Sequence, residues 1–436
     1  MRTSRSLFLL FLVGCAAVEW GGFAPVELAG AGEPPMGIAS EEPPLIQLTL
    51  IDDAAIHGAT FQSNNQKIVS NRRGIFATYI KTRNKEYTAQ KWRLVASTDG
   101  GESFRTLFEE TAATNPPVLE TDAEDNLYVV RPDFLDGHAY LYRFLASRDY
   151  REPIKTRIPG GSAGKYALAI DLQRGQLYYF AHNNTFHVIG LDGNIRSSIE
   201  LLKPGENAVL QYPSLCLGGD HTLYAAWTTV ANGRYLYWDI HAMRSRDGGQ
   251  KWEKLDGTPL TFPIVADDGG PSDRITLDDE FEVTTWLSNF LAVGSKLHFV
   301  YETQSDPRRE RYVRYDLNSG RKDHEFQPEF KGETVSLRGL DGCFAATNSV
   351  ASSLYCVMKD AGPNRLACLK SDDDGQSWHD HAVSSVVSSP YAIGGCRAIT
   401  HDGWIIGTFT DAIEPSDASE GKSKVYFFKI KADRKR

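Results

Sequence analysis

An eight-residue pattern that occurs three times limits the folds open to this chain more than any other feature. It reads Ser-Thr-Asp-Gly-Gly-Glu-Ser-Phe at 97–104, Ser-Arg-Asp-Gly-Gly-Gln-Lys-Trp at 245–252 and Ser-Asp-Asp-Asp-Gly-Gln-Ser-Trp at 371–378. The aspartate of each copy can accept hydrogen bonds from the backbone of its own turn. The glycine supplies a left-handed backbone angle at little steric cost. The closing Phe or Trp packs back as an apolar plug. Each copy therefore reads as a self-locked turn between two strands, and the chain as a series of similar β-hairpins.

A second rhythm runs through the whole chain. A short apolar strand, a polar turn and a new apolar strand recur, with the second-strand anchors at residues 75, 127, 177, 223, 297, 354 and 404. The repeat is about 50 residues, the length of a four-stranded propeller blade. Weaker versions of the turn, at Asp149, Asp192–Gly193 and Asp316–Gly320, fall where the third-to-fourth strand turn is due. The seventh repeat starts with Cys396–Ile399 as its first strand and then lacks an outer strand, while residues 44–51 form an orphan strand at the other end. That strand is expected to complete the seventh blade and close the ring, leaving no open edge. Seven blades is the expectation; six, with one segment as a strap, is the alternative.

The three turns resemble the Asp boxes of the sialidase-like, BNR-repeat β-propellers. The resemblance implies an all-β propeller in which the boxes are structural and lie at the bottom rim. It therefore removes Asp99, Asp247 and Asp373 as catalysts. A chain of 436 residues fits one such domain, here 44–436. Residues 1–15 read as an export signal ending in the lipobox Leu12-Val13-Gly14-Cys15, and 16–43 as a flexible tether. The expected location is the periplasm or cell surface, lipid-anchored at Cys15, with membrane contact only through that anchor; cleavage near Ala24 is the alternative. A monomer is expected. The net charge of −9 argues against a nucleic-acid partner. Five cysteines remain after Cys15, and no Cys-x-x-Cys spacing points to zinc. Cys343 and Cys356 fall on adjacent strands and could pair; buried free thiols are the other reading.

Top-face loops, those that enter each first strand or join the second to the third, hold the usable chemistry. They carry His57, Gln62, Asn64 and Asn65; Arg131, Asp133 and His138; Lys165; Gln211 and Tyr212; Glu302; and Arg338. For a hydrolase, two carboxylates about 5–10 Å apart are needed, with Asp133 and Glu302 as candidates and Arg131, His138 and Arg338 as substrate-binding groups. The sialidases that the chain resembles carry an Arg-Ile-Pro signature before the first blade. Here the tripeptide is Arg157-Ile158-Pro159, on an outer strand of blade two. Gln211-Tyr212-Pro213 and residues 256–263 resemble BNR-4 proteins, which include polysaccharide lyases. That resemblance implies His57 and Tyr212 as acid and base, with Arg338 neutralising a carboxylate. A non-catalytic glycan-binding or assembly scaffold is the reading from another class. No cofactor is expected beyond calcium in an acidic insertion, roughly 257–286, that carries Asp267, Asp268, Asp273, Asp278, Asp279, Glu280 and Glu282. This insertion is expected to wall the pocket.

Overall fold

The structure is a computed structural model that describes residues 45–62, 64–234, 236–277, 283–304, 309–337, 341–346 and 353–433. The export signal, Cys15, Arg338 and the acids at 278, 279, 280 and 282 lie outside the described residues. The described residues contain strands and one short 3-10 turn, Ala146–Arg148, and no helix long and apolar enough to cross a membrane.

Alternating apolar residues and tight turns make neighbouring strands pair in sequence order, which builds antiparallel meanders. Among the described residues, strand pairing falls into seven successive antiparallel units, the fourth extended by two short strands and the sixth and seventh joined in one sheet through Leu45–Ala55. Their inner strands are Ile68–Asn71, Val118–Thr121, Tyr166–Asp171, Ala208–Leu217, Thr285–Val293, Cys343–Ala346 and Pro390–Gly395. Each inner strand neighbours the next around a common axis, and the seventh unit returns to the first. The fold is a β-propeller. Leu45–Ala55 pairs antiparallel with Ser423–Lys431 as the outer strand of the seventh unit, from Gln47 opposite Lys429 to Ala55 opposite Ser423. It also bridges to the sixth unit, where Leu45 and Ile46 run parallel to Val383 and Ser384. The two chain ends thus share one sheet.

Two sequence expectations need correction. The first strand of the seventh unit is Pro390–Gly395, six residues before the strand expected at Cys396–Ile399. A register shift between Tyr391 and Gly394, with Ala392 in the left-handed region (φ 54°), displaces the pattern. The insertion after the second Asp box is not simply a wall of the top face. Ile264–Val265 pairs with Leu202–Lys203, and Asp273–Arg274 pairs with Ala242 and His241, so this stretch packs along the outside of the fourth unit. Its backbone groups find partners there instead of facing water. All five described cysteines are free and buried, in line with the reading of buried free thiols, and Cys343 is not bonded to Cys356. Burial raises the Cys216 and Cys343 thiols to about 12, which keeps them unreactive.

The Asp boxes lock more than their own hairpins. In each, the box serine accepts from the glycine N–H at 2.8 Å, as Ser97 does from Gly101, Ser245 from Gly249 and Ser371 from Gly375. The aspartate accepts from the two residues beyond, and the Ser103 and Ser97 hydroxyls hold the Asp99 carboxyl well below the usual range. The aromatic then reaches into the preceding unit. Phe104 meets Phe427 (5.2 Å between centroids), Trp252 meets Phe186 (5.4 Å) and Trp378 meets Tyr312 (5.3 Å). The glycine abuts the same ring, and a Cβ on Gly249 (φ 88°) would sit 2.6 Å from Phe186 Cε1. Gly249→Ala is therefore expected to cost about 2–3 kcal/mol, from backbone strain plus a displaced ring. The check is the denaturant midpoint of the variant.

The axis is filled. Lys67, 3% exposed, donates to Asn65 O at 2.9 Å and to Gln62 O. Arg397 crosses from the seventh unit to Glu120 of the second (2.8 Å) and to Leu168 O of the third (3.2 Å). Gln66 donates to the other Glu120 oxygen at 2.8 Å. Burial raises the Glu120 carboxyl to about 7 and lowers the Lys67 ammonium to about 7. Side chains thus occupy the axis between the inner strands, and chemistry has to take place above them.

Candidate active site

Residues 56–62 and 64–67 lie across the mouth of that axis and tie three units together. Gln62, in the left-handed region at φ 63°, donates to Gly164 O at 3.0 Å. Asn64 Nδ2 donates to Pro213 O at 3.3 Å, and the Ser214 hydroxyl donates back to Asn64 O at 3.1 Å. This strap carries His57 and Phe61 onto the top face.

Inner strands of the fourth, fifth and seventh units are irregular at that same end. Register shifts fall between Gln211 and Ser214, between Leu287 and Asn289, and between Tyr391 and Gly394. A bulge of this kind bends a strand and re-aims a side chain. Beside these shifts stand Tyr212, at φ 36°, Trp286 and Tyr391. Left-handed backbone is costly for a bulky residue and persists only where its surroundings impose it.

The result is a continuous aromatic arc. His57 lies 5.1 Å from Tyr391, Tyr391 stacks on Phe61 at 6.3 Å, and Phe61 meets Tyr212 edge-on at 6.2 Å. Tyr212 continues to Tyr237 at 5.4 Å, and Tyr237 to Trp286 at 5.2 Å. Tyr212 and Tyr237 form the buried floor of this arc, 3% and 2% exposed, while His57, Phe61, Trp286 and Tyr391 are half-buried and present the ring surface on which the apolar face of a sugar can stack.

One cation sits on this arc. Lys165 Nζ lies 5.3 Å from the Tyr212 ring centroid. Burial lowers its ammonium to about 8, so it is charged at neutral pH but weakly held as such. Lys165 is half-buried and forms no ion pair with a described residue. Its backbone is fixed from below, because Gly164 and Lys165 N–H groups both donate to His182 Nδ1 at 3.1 Å. Burial, then the Lys165 charge, lowers His182 to about 3, so this imidazole is neutral with its proton on Nε2.

His57 has the opposite tautomer. Its Nδ1 lies 2.8 Å from the carbonyl of Glu414, which can only accept, so Nδ1 carries a proton and the neutral form of the ring has its lone pair on Nε2. A neutral imidazole held this way can act as a base.

The other sequence candidates are used elsewhere. Arg131 donates to Tyr142 Oη and Asp133 Oδ2, both at 2.8 Å, and to Ala112 O at 3.0 Å. It is a buried lock between the first and second units, not a group facing substrate. Asp133 also accepts from Leu135 N at 2.9 Å and fixes its own turn. His138 contacts Arg157 on the neighbouring outer strand, so the Arg-Ile-Pro arginine stays on the outside of the second unit as expected. Glu302 is 1% exposed and lies opposite Trp286 and Glu310 in the fifth unit. It is near enough to Asp341 to help raise that buried carboxyl to about 7, burial being the larger cause. Asp133 and Glu302 therefore belong to different units and are both below the surface. Among the loop residues read from the sequence, the structure puts Lys165 against Tyr212 and joins His57 to Tyr212 along the arc through Tyr391 and Phe61. It adds Phe61, His182, Tyr237, Trp286 and Tyr391, which the sequence alone does not distinguish from core aromatics.

A propeller whose top face carries an aromatic arc with Lys165 against it is the class that fold and site define. No protein-family model matches the sequence, and no curated protein does. Solved structures do resemble the fold. One is a polysaccharide lyase described as a PL25 ulvan lyase bound to -[GlcA(1-4)Rha3S]-; it shares 13% identity, covers 86% of this chain and 94% of its own, and gives a TM-score of 0.62. Another is polysaccharide lyase Uly1, with 10% identity, 89% and 100% coverage and a TM-score of 0.56. At these identities the likeness is one of fold.

Proposed function

We propose that this chain is a carbohydrate-active enzyme that cleaves a uronate-containing polysaccharide by β-elimination on the aromatic arc. The observation that carries the reading is Lys165, a cation without a carboxylate partner among the described residues, lying against Tyr212 within reach of a sugar stacked on the arc. Fold likeness to two polysaccharide lyases supports the scaffold for this chemistry. The site of action is outside the cell, where such polymers are met, in keeping with the N-terminal export signal and a lipid anchor at Cys15.

The steps follow from what each group can do. The uronate carboxylate pairs with the Lys165 ammonium. Neutralising that charge makes the ring proton on C5, adjacent to the carboxyl carbon, more acidic. His57 Nε2, with its lone pair available, takes this proton. The C5–H electron pair becomes the C4=C5 double bond as the C4–O bond breaks. The Tyr212 hydroxyl gives a proton to the departing oxygen. No water is consumed. Product release is followed by proton return from His57 to Tyr212 through solvent. A hydrolytic route would instead need an accessible pair of carboxylates, and neither Asp133 nor Glu302 is placed to supply one.

The test is to incubate purified protein with a panel of uronate polymers, including a glucuronate and sulfated rhamnose polymer, and follow the ultraviolet absorbance of the unsaturated ring. A rise supports the reading; glycan binding without any cleavage supports a scaffold instead. The pH profile adds a signature. The free-enzyme Lys165 is charged below about 8 and neutral above it, so kcat/KM is expected to fall as pH rises through that value. Lys165→Arg, which stays charged, is expected to carry activity to higher pH. A wild-type profile flat across pH 8 would remove Lys165 from the site.

A further inference from the structure

A second constellation lies on the fourth unit and is used by none of these steps. Asp239 and His241 are two residues apart on the strand Tyr237–Ser245, so both project from the same face of the sheet. They are 2% and 0% exposed. Asp268 comes from the insertion. It is held near them because its neighbour Asp267 accepts from Asn207 N, Ala208 N and Gly269 N at 2.9–3.1 Å. Ligand-type atoms of Asp239, His241 and Asp268 all lie within 4.8 Å of one another. Asp239 and Asp268 line a cavity of about 260 Å³.

The buried groups around this cluster orient it. His241 Nδ1 lies 3.1 Å from the Ser272 hydroxyl, and its ring stacks on Trp227 at 5.7 Å. Its Nε2 is buried and makes no hydrogen bond, although it stands 3.0 Å from Asp239 Oδ2. The pair is a close contact without the direction of a hydrogen bond. Thr229 donates to the other Asp239 oxygen, which fixes the carboxylate with Oδ2 toward the imidazole. A buried imidazole nitrogen beside a carboxylate that does not complete a directed hydrogen bond with it is costly for the fold unless a further group satisfies both. A metal-bound histidine is usually supported by an oxygen at its other ring nitrogen, as Ser272 stands at Nδ1 here.

We propose that Asp239, His241 and Asp268 bind one divalent ion of the zinc class, with the cavity side left for water or a ligand. The donor set of one imidazole and two carboxylates suits zinc and disfavours calcium, which takes six or more oxygen ligands. The acidic insertion thus supplies one ligand to a mixed site. Two ligands each about 2.1 Å from zinc stand no more than about 4 Å apart, so the exposed Asp268 carboxylate has to swing in by about 1 Å. Doing so releases Arg274, whose guanidinium is 3.5 Å from it and is the one nearby cation opposing the ion.

The experiment uses the purified full chain, stripped with a chelator and titrated calorimetrically with Zn²⁺ alone and with Ca²⁺ alone. One Zn²⁺ per chain is expected, with a rise in Tm, and Co²⁺ in its place should give the intense visible bands of a low-coordinate site. Asp268→Asn, at an exposed position that leaves the fold intact, should weaken zinc binding at least 10-fold, and His241→Gln should do so more strongly. Absence of stoichiometric zinc binding, equal affinity in Asp268→Asn, or binding of Ca²⁺ in preference to Zn²⁺ would each overturn the proposal. The readout is binding, so the result is independent of whether the chain cleaves a polysaccharide.

Discussion

Tyr212→Phe is expected to lower turnover on a uronate polymer by 10²-fold or more, the typical scale of a lost proton-transfer group. The change removes one oxygen and keeps the ring, so the contacts with Phe61 and Tyr237 and the left-handed backbone stay in place. KM is expected to move little, because the polymer still stacks on the arc and still pairs with Lys165. His57→Ala should show a loss of the same size for the same reason. Lys165→Ala should differ from both. It removes the group that neutralises the carboxylate, so KM rises and turnover falls together. Steady-state kinetics on the three purified variants, each with an unchanged unfolding curve, separates these outcomes. Normal turnover in Tyr212→Phe would take the acid away from this residue.

Removing the first strand is expected to have the largest effect on folding. A chain that begins at Ile56 leaves the seventh unit with three strands and a bare edge along Ser423–Lys431. It also uncovers Phe427 and Val425, both fully buried in the intact sheet. Such an edge is a template for association, and the shortened chain is expected to aggregate where a chain that begins at Leu45 is expected to stay dispersed. Size-exclusion chromatography with light scattering distinguishes the two. One residue concentrates much of the effect. Asp52 of this strand accepts from Tyr79 Oη and Lys81 Nζ at 2.6 Å and from Arg93 Nη1 at 3.0 Å, all in the first unit. Burial opposes its ionisation, but Lys81, the Tyr79 hydroxyl and Ala54 N–H outweigh burial and hold the carboxyl below its usual range. Asp52→Ala leaves two cations without their partner and is expected to cost about 3 kcal/mol. A lowered folded-state value places this stabilisation above about pH 4, and it is lost as pH falls through the folded-state value.

The architecture was legible because its signals are local. Spacing of the Asp boxes fixes where third strands turn into fourth strands, and the missing outer strand of the last repeat points to Leu45–Ala55. The same rule put His57, Lys165 and Tyr212 on one face. What the rule cannot give is the direction of a side chain. Arg131 and Asp133, expected in a top-face loop, instead end the strand Leu127–Asp133, and Tyr142 beneath them draws the guanidinium inward. Bulges were equally hidden, since a register shift depends on the partner strand and leaves no mark in composition. Tyr391 and Trp286 therefore look like any core aromatics until three inner strands are seen to break register at one height. The Asp239-x-His241 spacing is visible on its strand, but its third member lies in an insertion whose path along the outside of the unit follows from pairing with Ala242 and His241.

Elimination and hydrolysis differ in one atom. Cleavage of a uronate polymer in heavy-oxygen water, followed by mass spectrometry of the fragments, reads that atom directly. The mechanism on the arc predicts fragments with an unsaturated terminal uronate and no oxygen taken from solvent during bond breakage. Saturated fragments, each pair carrying one heavy oxygen, would contradict it and return the search to a pair of carboxylates.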